Sequence, residues 1–535
     1  MLPAIISSAF ALTVALIGLY YIRRHNRSKL PLPPGPRKRF LVGNLFDIPS
    51  SSPWETYTEW SKTYESDIIH LDAAGHSLII LSSLESAVDL LEKRSAIYSD
   101  RPQLTMANEL MGWDFHLGMV SVLALIHTLI PTSILSAFMR YGEPWRLHRR
   151  LFHNAFQAEA AKSFHPKELS SVHVLLGRLL EDPQGDVMAR MQQMTAEIIM
   201  SVAYGIDILP AKDPYVNLAE ESSRSLTRAV VPGAFLVDAI PILKYVPEWF
   251  PGAGFQRKAK EWKAQSQKMQ DLPFEEAKRR MAEGTAPHSF VADALENMEN
   301  IADREHHERL IKATAGAMYS AGTDTTSSAL CTFVLAMLAN PEAQKKAQFE
   351  IDSVVPQGRL PDFNDEASLP YVSALVKEVL RWQPVAPLGF PHQSSEEDEY
   401  RGYRIPAGST VMANMWAIFH NEAIFADPYT FKPEHFLLDG KPHPDMMNPD
   451  VAFGFGRRIC PARHMAASTL WITAASILAT FDITKAIADD GQIIEPTYEY
   501  TATAIHITPL PFKCSIKPRS KEAASLILAT LLEEQ

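Results

Sequence analysis

The run Phe453-Gly454-Phe455-Gly456-Arg457-Arg458-Ile459-Cys460, with an apolar helical stretch over 462–480 directly behind it, constrains this chain more than any other feature. Two glycines let the chain turn tightly before the helix starts, so the cysteine is delivered at a helix entrance. A thiolate is a soft, strongly donating ligand, and positive charge or a metal lowers the thiol pKa far enough to make one. Arg457, Arg458 and Arg463 flank Cys460 and argue for that state over an inert buried thiol. The other two cysteines, Cys331 and Cys514, fit the inert reading, one inside an apolar helix and one in a strand-like tail. No pair has metal-ligand spacing, so Cys460 acts alone. The low cysteine count excludes a disulfide framework and suits a reducing compartment.

The 535 residues carry 46% hydrophobic and 21% charged side chains and a net charge of −11, a globular composition with no overall pull towards nucleic acid. Residues 2–22 are almost wholly apolar and long enough to span a bilayer. Arg23, Arg24, Arg27 and Lys29 follow, and the positive-inside tendency puts everything after them on the cytosolic side. A cleaved signal peptide is the rival reading, disfavoured by the missing basic start and cleavage site. Pro31-Leu32-Pro33-Pro34-Gly35-Pro36 reads as a stiff extended spacer, giving a hinge over 23–36.

The globular part runs over 37–520, with a tail over 521–535. Short β-like runs such as Ser77-Leu78-Ile79-Ile80-Leu81 occur early. Most of 150–350 is helical in pattern, 366–382 is a further helix, and 400–412 a small hairpin with Gly402 and Gly408 near turns. The expected fold is mostly α with a small β subdomain and one N-terminal transmembrane anchor. Residues 118–136 form a second charge-free apolar run. The expectation is a short retained intron: Gly118-Met119 and Ser136-Ala137 can be encoded with a GT donor and an AG acceptor. A second membrane contact is the alternative, and the transcript sequence decides between them.

Three further patterns carry chemistry. Glu378-Val379-Leu380-Arg381 places opposite charges three apart on one helical face, and Phe431-Lys432-Pro433-Glu434-His435-Phe436 follows it. Ala321-Gly322-Thr323-Asp324-Thr325-Thr326 interrupts the long helix read over 313–338; its threonines can divert hydrogen bonds from the ladder and open a kink. An acid beside an alcohol can relay protons. Trp145 and Arg149 share a face four apart, and His392 follows Pro391.

Phe-x-x-Gly-x-Arg-x-Cys, preceded in order by Glu-x-x-Arg and Pro-Glu-His-Phe, resembles the cytochrome P450 family. The phrase Trp113-Asp114-Phe115, rejoined to Phe138-Met139-Arg140-Tyr141-Gly142 when 118–136 are removed, and the ending Pro509-Leu510-Pro511-Phe512 resemble its fungal microsomal members. They resemble the group that includes the fungal O-methylsterigmatocystin oxidoreductases. The resemblance implies haem b, with Cys460 as the axial thiolate that favours O–O cleavage. Phe453, Gly456 and Arg458 would belong to the haem loop, and Trp145, Arg149, Arg458 and His392 would meet the haem propionates. Asp324 would supply protons and Thr325 hold the oxygen being protonated. Glu378, Arg381 and His435 would form a buried network, weakened by histidine where arginine is usual. Ala462 stands where glycine is usual, a change expected to be tolerated.

What the resemblance further implies is monooxygenation of a hydrophobic small molecule: a fungal secondary metabolite, a terpenoid or an aromatic foreign compound. Electrons would come from a separate NADPH-dependent reductase, with cytochrome b5 as a further donor, at the endoplasmic reticulum membrane. An acidic redox partner would dock on the basic face around Cys460. Substrate would be held by 101–117, 225–255, 313–322, Val385 to Leu388 and 500–505. Two alternatives stay open, a reductase-independent isomerase or peroxygenase and a catalytically decayed membrane haem protein.

Overall fold

The computed structural model describes residues 30–40, 42–49, 51–102, 104–116, 142–210, 212–231, 233–298, 303–501 and 506–533. The 2–22 segment and the 118–136 run lie outside the described residues. Among the described residues no helix is long and apolar enough to cross a membrane.

The longer helices are α1 Pro53–Thr63, α2 Glu143–Phe156, α3 His165–Glu181, α4 Val187–Tyr204, α5 Pro214–Ala229 and α6 Gly254–Ala282. They continue with α7 Phe290–Glu296, α8 Arg304–Ala339, α9 Pro341–Val354, α10 Pro370–Trp382, α11 Arg463–Thr480 and α12 Lys521–Glu533. The axis of the molecule is α8. It starts at Asp303, whose carboxylate accepts the His306 N–H at 3.0 Å, and stops at Asn340 because Pro341 cannot continue its ladder. Its central residues are buried between α4 and α11, and the largest apolar cluster surrounds it. Removing that surface from water is the main driving force for the fold.

The helix does not break at Ala321–Thr326, contrary to the sequence expectation. Thr325 Oγ1 donates to the Ala321 carbonyl at 2.7 Å and Thr323 Oγ1 to that of Tyr319 at 3.4 Å, both four residues back, while the ladder persists. Gly322 both lines a cavity and meets a neighbouring helix. A Cβ there would sit 3.1 Å from Ile199 of α4, so glycine serves helix packing.

The strands are short: β1 Ile68–Ala73, β2 His76–Leu81, β3 His392–Gln393, β4 Asp398–Tyr400, β5 Tyr403–Ile405, β6 Thr410–Ala413, β7 Leu437–Leu438, β8 Lys441–Pro442, β9 Phe481–Lys485 and β10 Cys514–Pro518. The main sheet has the order β1-β2-β6-β3, with β2 and β6 parallel. The hairpin expected over 400–412 divides: β4 and β5 pair through Gly402, whereas β6 joins the main sheet. The proline-rich hinge is extended as expected, yet it is seated on that sheet. The Pro34 carbonyl accepts the His70 N–H at 2.9 Å, and a Cβ on Gly35 would sit 2.1 Å from the His70 oxygen. The 521–535 tail is helical over its described part, and α12 docks on α3, where Leu531 fills the space a Cβ on Gly177 would need.

One buried acid joins α3 to α11. Glu168 is fully buried and accepts hydrogen bonds from Ser468 Oγ at 3.0 Å and Thr469 Oγ1 at 2.8 Å. Burial pushes its carboxyl from 4.5 up to about 7, against the pull of the two hydroxyls. The folded chain therefore binds more protons than the unfolded one between those values, and stability falls as pH rises through that window. The shift is worth about 3 kcal/mol. Glu168→Gln should abolish about that much of the pH dependence and raise stability at pH 8 but not at pH 4. Urea unfolding of both forms at the two pH values measures it.

Candidate functional site

The glycines of the cysteine loop shape its local path. Gly456 has φ +53, and a Cβ there would lie 2.4 Å from the Leu91 carbonyl oxygen, so no other residue fits without displacing backbone. Gly454 has φ +90. The turn closes where the Cys460 N–H donates to the Phe453 carbonyl at 2.8 Å. Ala462 caps α11 with φ −96, an ordinary conformation for a residue with a side chain.

Cys460 is half-buried and lines a cavity of about 290 Å³. Phe453, Gly454 and Phe455 of its own loop line it as well, together with Ala317, Met318, Ala321, Gly322 and Thr325 of α8. Burial raises the Cys460 thiol, while the Ala462 N–H, Arg149 and Arg463 pull it down without overcoming burial. The three flanking arginines of the sequence argument do not act as a group. Arg457 is exposed, and Arg458 turns away to donate from Nε to the Ser99 carbonyl at 2.7 Å, its guanidinium 4.6 Å from the Trp145 ring centre.

The residues expected at the haem edge do converge. Arg149 Nη1 donates to the Ile459 carbonyl at 2.6 Å, and Trp145, Arg149, His392 and Arg458 all line the same cavity. His392 is buried; its Nδ1 donates to the Tyr98 carbonyl at 2.7 Å, and burial holds the imidazole far below its usual pKa. A carboxylate set beside its other nitrogen would favour the charged ring.

Sequence reasoning missed Arg101 as a specific site residue. It is buried against the cavity, Nη1 donates to the carbonyls of Phe390 and Pro391 at 2.8 and 2.7 Å, and its Nε–H has no acceptor. Burial alone lowers this guanidinium to about 10. An orphaned, buried guanidinium N–H beside Arg149 and Arg458 is the environment a ligand with carboxylates requires. The donor set thus fits a planar dianionic haem, with Cys460 as the single soft ligand. The only signal in the sequence was an arginine before a proline.

Thr325 lines the cavity and its neighbour Asp324 does not. One expectation changes: the described residues of 225–255 contribute no lining. Leu236, Ile242, Tyr245 and Trp249 there are 70–80% exposed, while Phe235 and Leu243 pack against the core. The 502–505 part of the 500–505 turn lies outside the described residues.

The network behind the site is complete. Arg381 Nε and Nη2 donate to the two Glu378 oxygens at 2.7 Å each, and Nη1 to the carbonyls of Phe419 and Pro428 at 2.9 and 2.7 Å. The Lys432 N–H reaches Glu378 at 2.7 Å. His435 joins this arrangement. Its Nδ1 lies 3.2 Å from Glu378 and its Nε2 2.6 Å from the Ala426 carbonyl. Both neighbours are acceptors, so a ring that donates from both nitrogens, as a cation, satisfies them together.

A family model described as Cytochrome P450 matches residues 125–513. Cytochrome P450 monooxygenase 98 of Postia placenta is 45% identical over 96% of this chain and 95% of its own length. Cytochrome P450 monooxygenase ple1 of Rhodocybe pseudopiperita is 44% identical over 96% of this chain and 95% of its own. Tryptamine 4-monooxygenase of Psilocybe cyanescens is 39% identical over 94% of this chain and 96% of its own.

Breaking the buried pair from one side strands a charge. Arg381→Met should cost roughly 3–5 kcal/mol. His435→Phe, which leaves two acceptors short of a donor, should cost roughly 1–3 kcal/mol. Urea denaturation gives both values, and equal losses would contradict the ranking.

Proposed function

This chain belongs to the cytochrome P450 family, and from that premise we propose that it oxidises a neutral, apolar small molecule with electrons drawn from a separate NADPH-dependent reductase. Haem-thiolate monooxygenation is the activity of the family, and haem iron with a cysteine thiolate its cofactor. When bound, the haem supplies dioxygen activation. The single observation that carries the assignment here is Cys460, opening into a cavity edged by Arg101, Arg149 and Arg458 and otherwise largely apolar.

The roles of the chain's own groups follow from their positions. Cys460 Sγ would be the metal ligand. Arg101, Trp145, Arg149, His392 and Arg458 would hold the cofactor carboxylates, with Phe453 lining the cavity and Gly456 shaping the loop without lining it. Thr325 presents its hydroxyl oxygen to the cavity while its proton is held by the Ala321 carbonyl, and Asp324 behind it supplies protons. Glu378, Arg381 and His435 hold the supporting framework. The apolar walls exclude water, so protons arrive through these groups.

No carboxylate lines the cavity among the described residues. A protonated amine would enter without a counter-ion, at a desolvation cost that a neutral aromatic or terpenoid molecule avoids. Tryptamine, named for one relative, is in its charged form a poor fit on that count. Of the basic groups flanking Cys460, the exposed Arg457 and the partly exposed Arg463 suit an acidic redox partner, the reductase or cytochrome b5. We assign 2–22 as a membrane anchor with the catalytic part cytosolic, at the endoplasmic reticulum. The outward apolar residues Leu236, Ile242, Tyr245 and Trp249 support contact with lipid. The 118–136 run remains proposed as a retained intron.

Reduced membranes carrying the chain should give a strongly red-shifted Soret band with carbon monoxide, and Cys460→Ala should lose it. Loss of the band from the parent chain and its persistence in a form lacking 118–136 would assign the inactivity to that run. Absence from both would sink the monooxygenase reading. Product formed from hydrogen peroxide with neither NADPH nor reductase present would favour the peroxygenase alternative.

A further inference from the structure

Glu168 lies in the first turn of α3, where that helix meets α11. Its side chain is fully buried, and its partners are the hydroxyls of two adjacent residues. Thr469 Oγ1 donates to Oε1 at 2.8 Å, and Ser468 Oγ stands 3.0 Å from each carboxyl oxygen. The two residues connect the acid to different surroundings. Thr469 lines the cavity that Cys460 lines, as do Met465, Ala466 and Leu470 of the same helix. Ser468 is half-buried and leads from the acid towards solvent.

These hydroxyls accommodate the acid in both of its charge states. A carboxylate only accepts, and both hydroxyls can donate to it. A protonated carboxyl needs an acceptor for its own hydrogen. Ser468 Oγ supplies one, because its hydrogen can turn instead to the Met465 carbonyl at 2.9 Å. Gaining or losing a proton therefore strands no buried polar group at this site. The charged and titratable groups nearby are turned elsewhere. On the acid's own segment Lys162 pairs with Glu159 at 2.7 Å, the His165 ring stacks on Phe363, and Lys167 donates to the Ser201 and His288 carbonyls. Glu197 of α4 is taken by Arg178, Arg463 and His464 stand at the start of α11, and α12 carries charge only at its two ends. None of them moves the Glu168 pKa, which burial lifts to about 7 against the pull of the two hydroxyls. A buried charge with no counter-ion is screened little, so its appearance is felt across Thr469 in the cavity.

We propose that Glu168 sets the pH dependence of cofactor reduction: it binds a proton from solvent when the haem held by Cys460 gains an electron, and returns that proton when the electron leaves. This rests on the monooxygenase reading, in which a reductase supplies the electron. The balance is one electron to the iron and one proton from water, by way of Ser468, to the Glu168 carboxylate. By linkage the electron and the proton favour each other's binding equally. An ionised Glu168 repels the incoming electron and a protonated one does not, so reduction becomes harder as pH rises through neutrality.

Spectroelectrochemical titration of the holoprotein gives the midpoint potential at each pH. In the parent it should fall between pH 6 and 8 by a threefold or larger change in the reduction equilibrium, about 28 mV at about 59 mV per tenfold. Glu168→Gln keeps the shape and polar atoms of the side chain. It should lose that fall and be reduced more readily than the parent at pH 8. Thr469→Val removes one donor from the carboxylate, and should move the inflection to higher pH by a threefold or larger gain in proton affinity. The infrared difference between oxidised and reduced parent at pH 7 should show a carboxyl gaining a proton, a signal missing from Glu168→Gln. An equal fall of potential with pH in parent and Glu168→Gln would overturn the proposal, because a merely structural acid moves stability and leaves that slope alone. Should Glu168→Gln fail to hold haem, an unmoved inflection in Thr469→Val would overturn it instead. A parent chain without the red-shifted carbon monoxide band would overturn the monooxygenase reading, whereas a normal band with equal slopes overturns this proposal alone.

Discussion

The Glu378–Arg381 pair is the constraint on which the rest of this site depends. Both side chains are fully buried. Desolvating two charges costs more than their mutual attraction returns unless every remaining donor and acceptor is met. Here they are met by the backbone of one stretch: the carbonyls of Phe419, Pro428 and Thr430 on the guanidinium side, and the Lys432 N–H on the carboxylate. The pair therefore fixes α10 to four points of the segment that leads into the cysteine loop. His435 adds a fifth through Ala426. A hydrophobic substitute of equal volume could match the stability, but it could not dictate where those backbone groups lie. The position of Cys460 follows from that placement and from the tight contact of Gly456 with Leu91.

What the sequence made legible was local. The i, i+3 spacing of Glu378 and Arg381, the glycines before Cys460, and the apolar runs of α8 and α11 each carry their structure within a few residues. What it concealed was set across the chain. Arg101 acquires its role from carbonyls nearly three hundred residues away, and no periodicity marks such a contact. The 225–255 region shows the opposite failure. A pattern of apolar residues says that one face is greasy, and it does not say whether that face meets the cavity or the outside. Trp249, 80% exposed, is outside. The threonines of 323–326 misled for a third reason. A hydroxyl able to leave the helix ladder can equally double it, and Thr325 does so.

The cavity is electrically lopsided, and that asymmetry shapes what can happen in it. Its cations sit at one edge, where cofactor carboxylates would neutralise them. Elsewhere the lining offers hydroxyls and apolar groups. A carboxylate placed directly in the wall would be poorly solvated and would repel those same cofactor groups. Asp324 avoids both costs by standing outside the lining, to which its neighbours Thr325 and Thr326 contribute. An alcohol carries no charge to desolvate, yet it can pass a proton on. The arrangement keeps the acid's charge out of the cavity lining and an alcohol within it, and a continuous, unbroken α8 is what holds the two on adjacent residues.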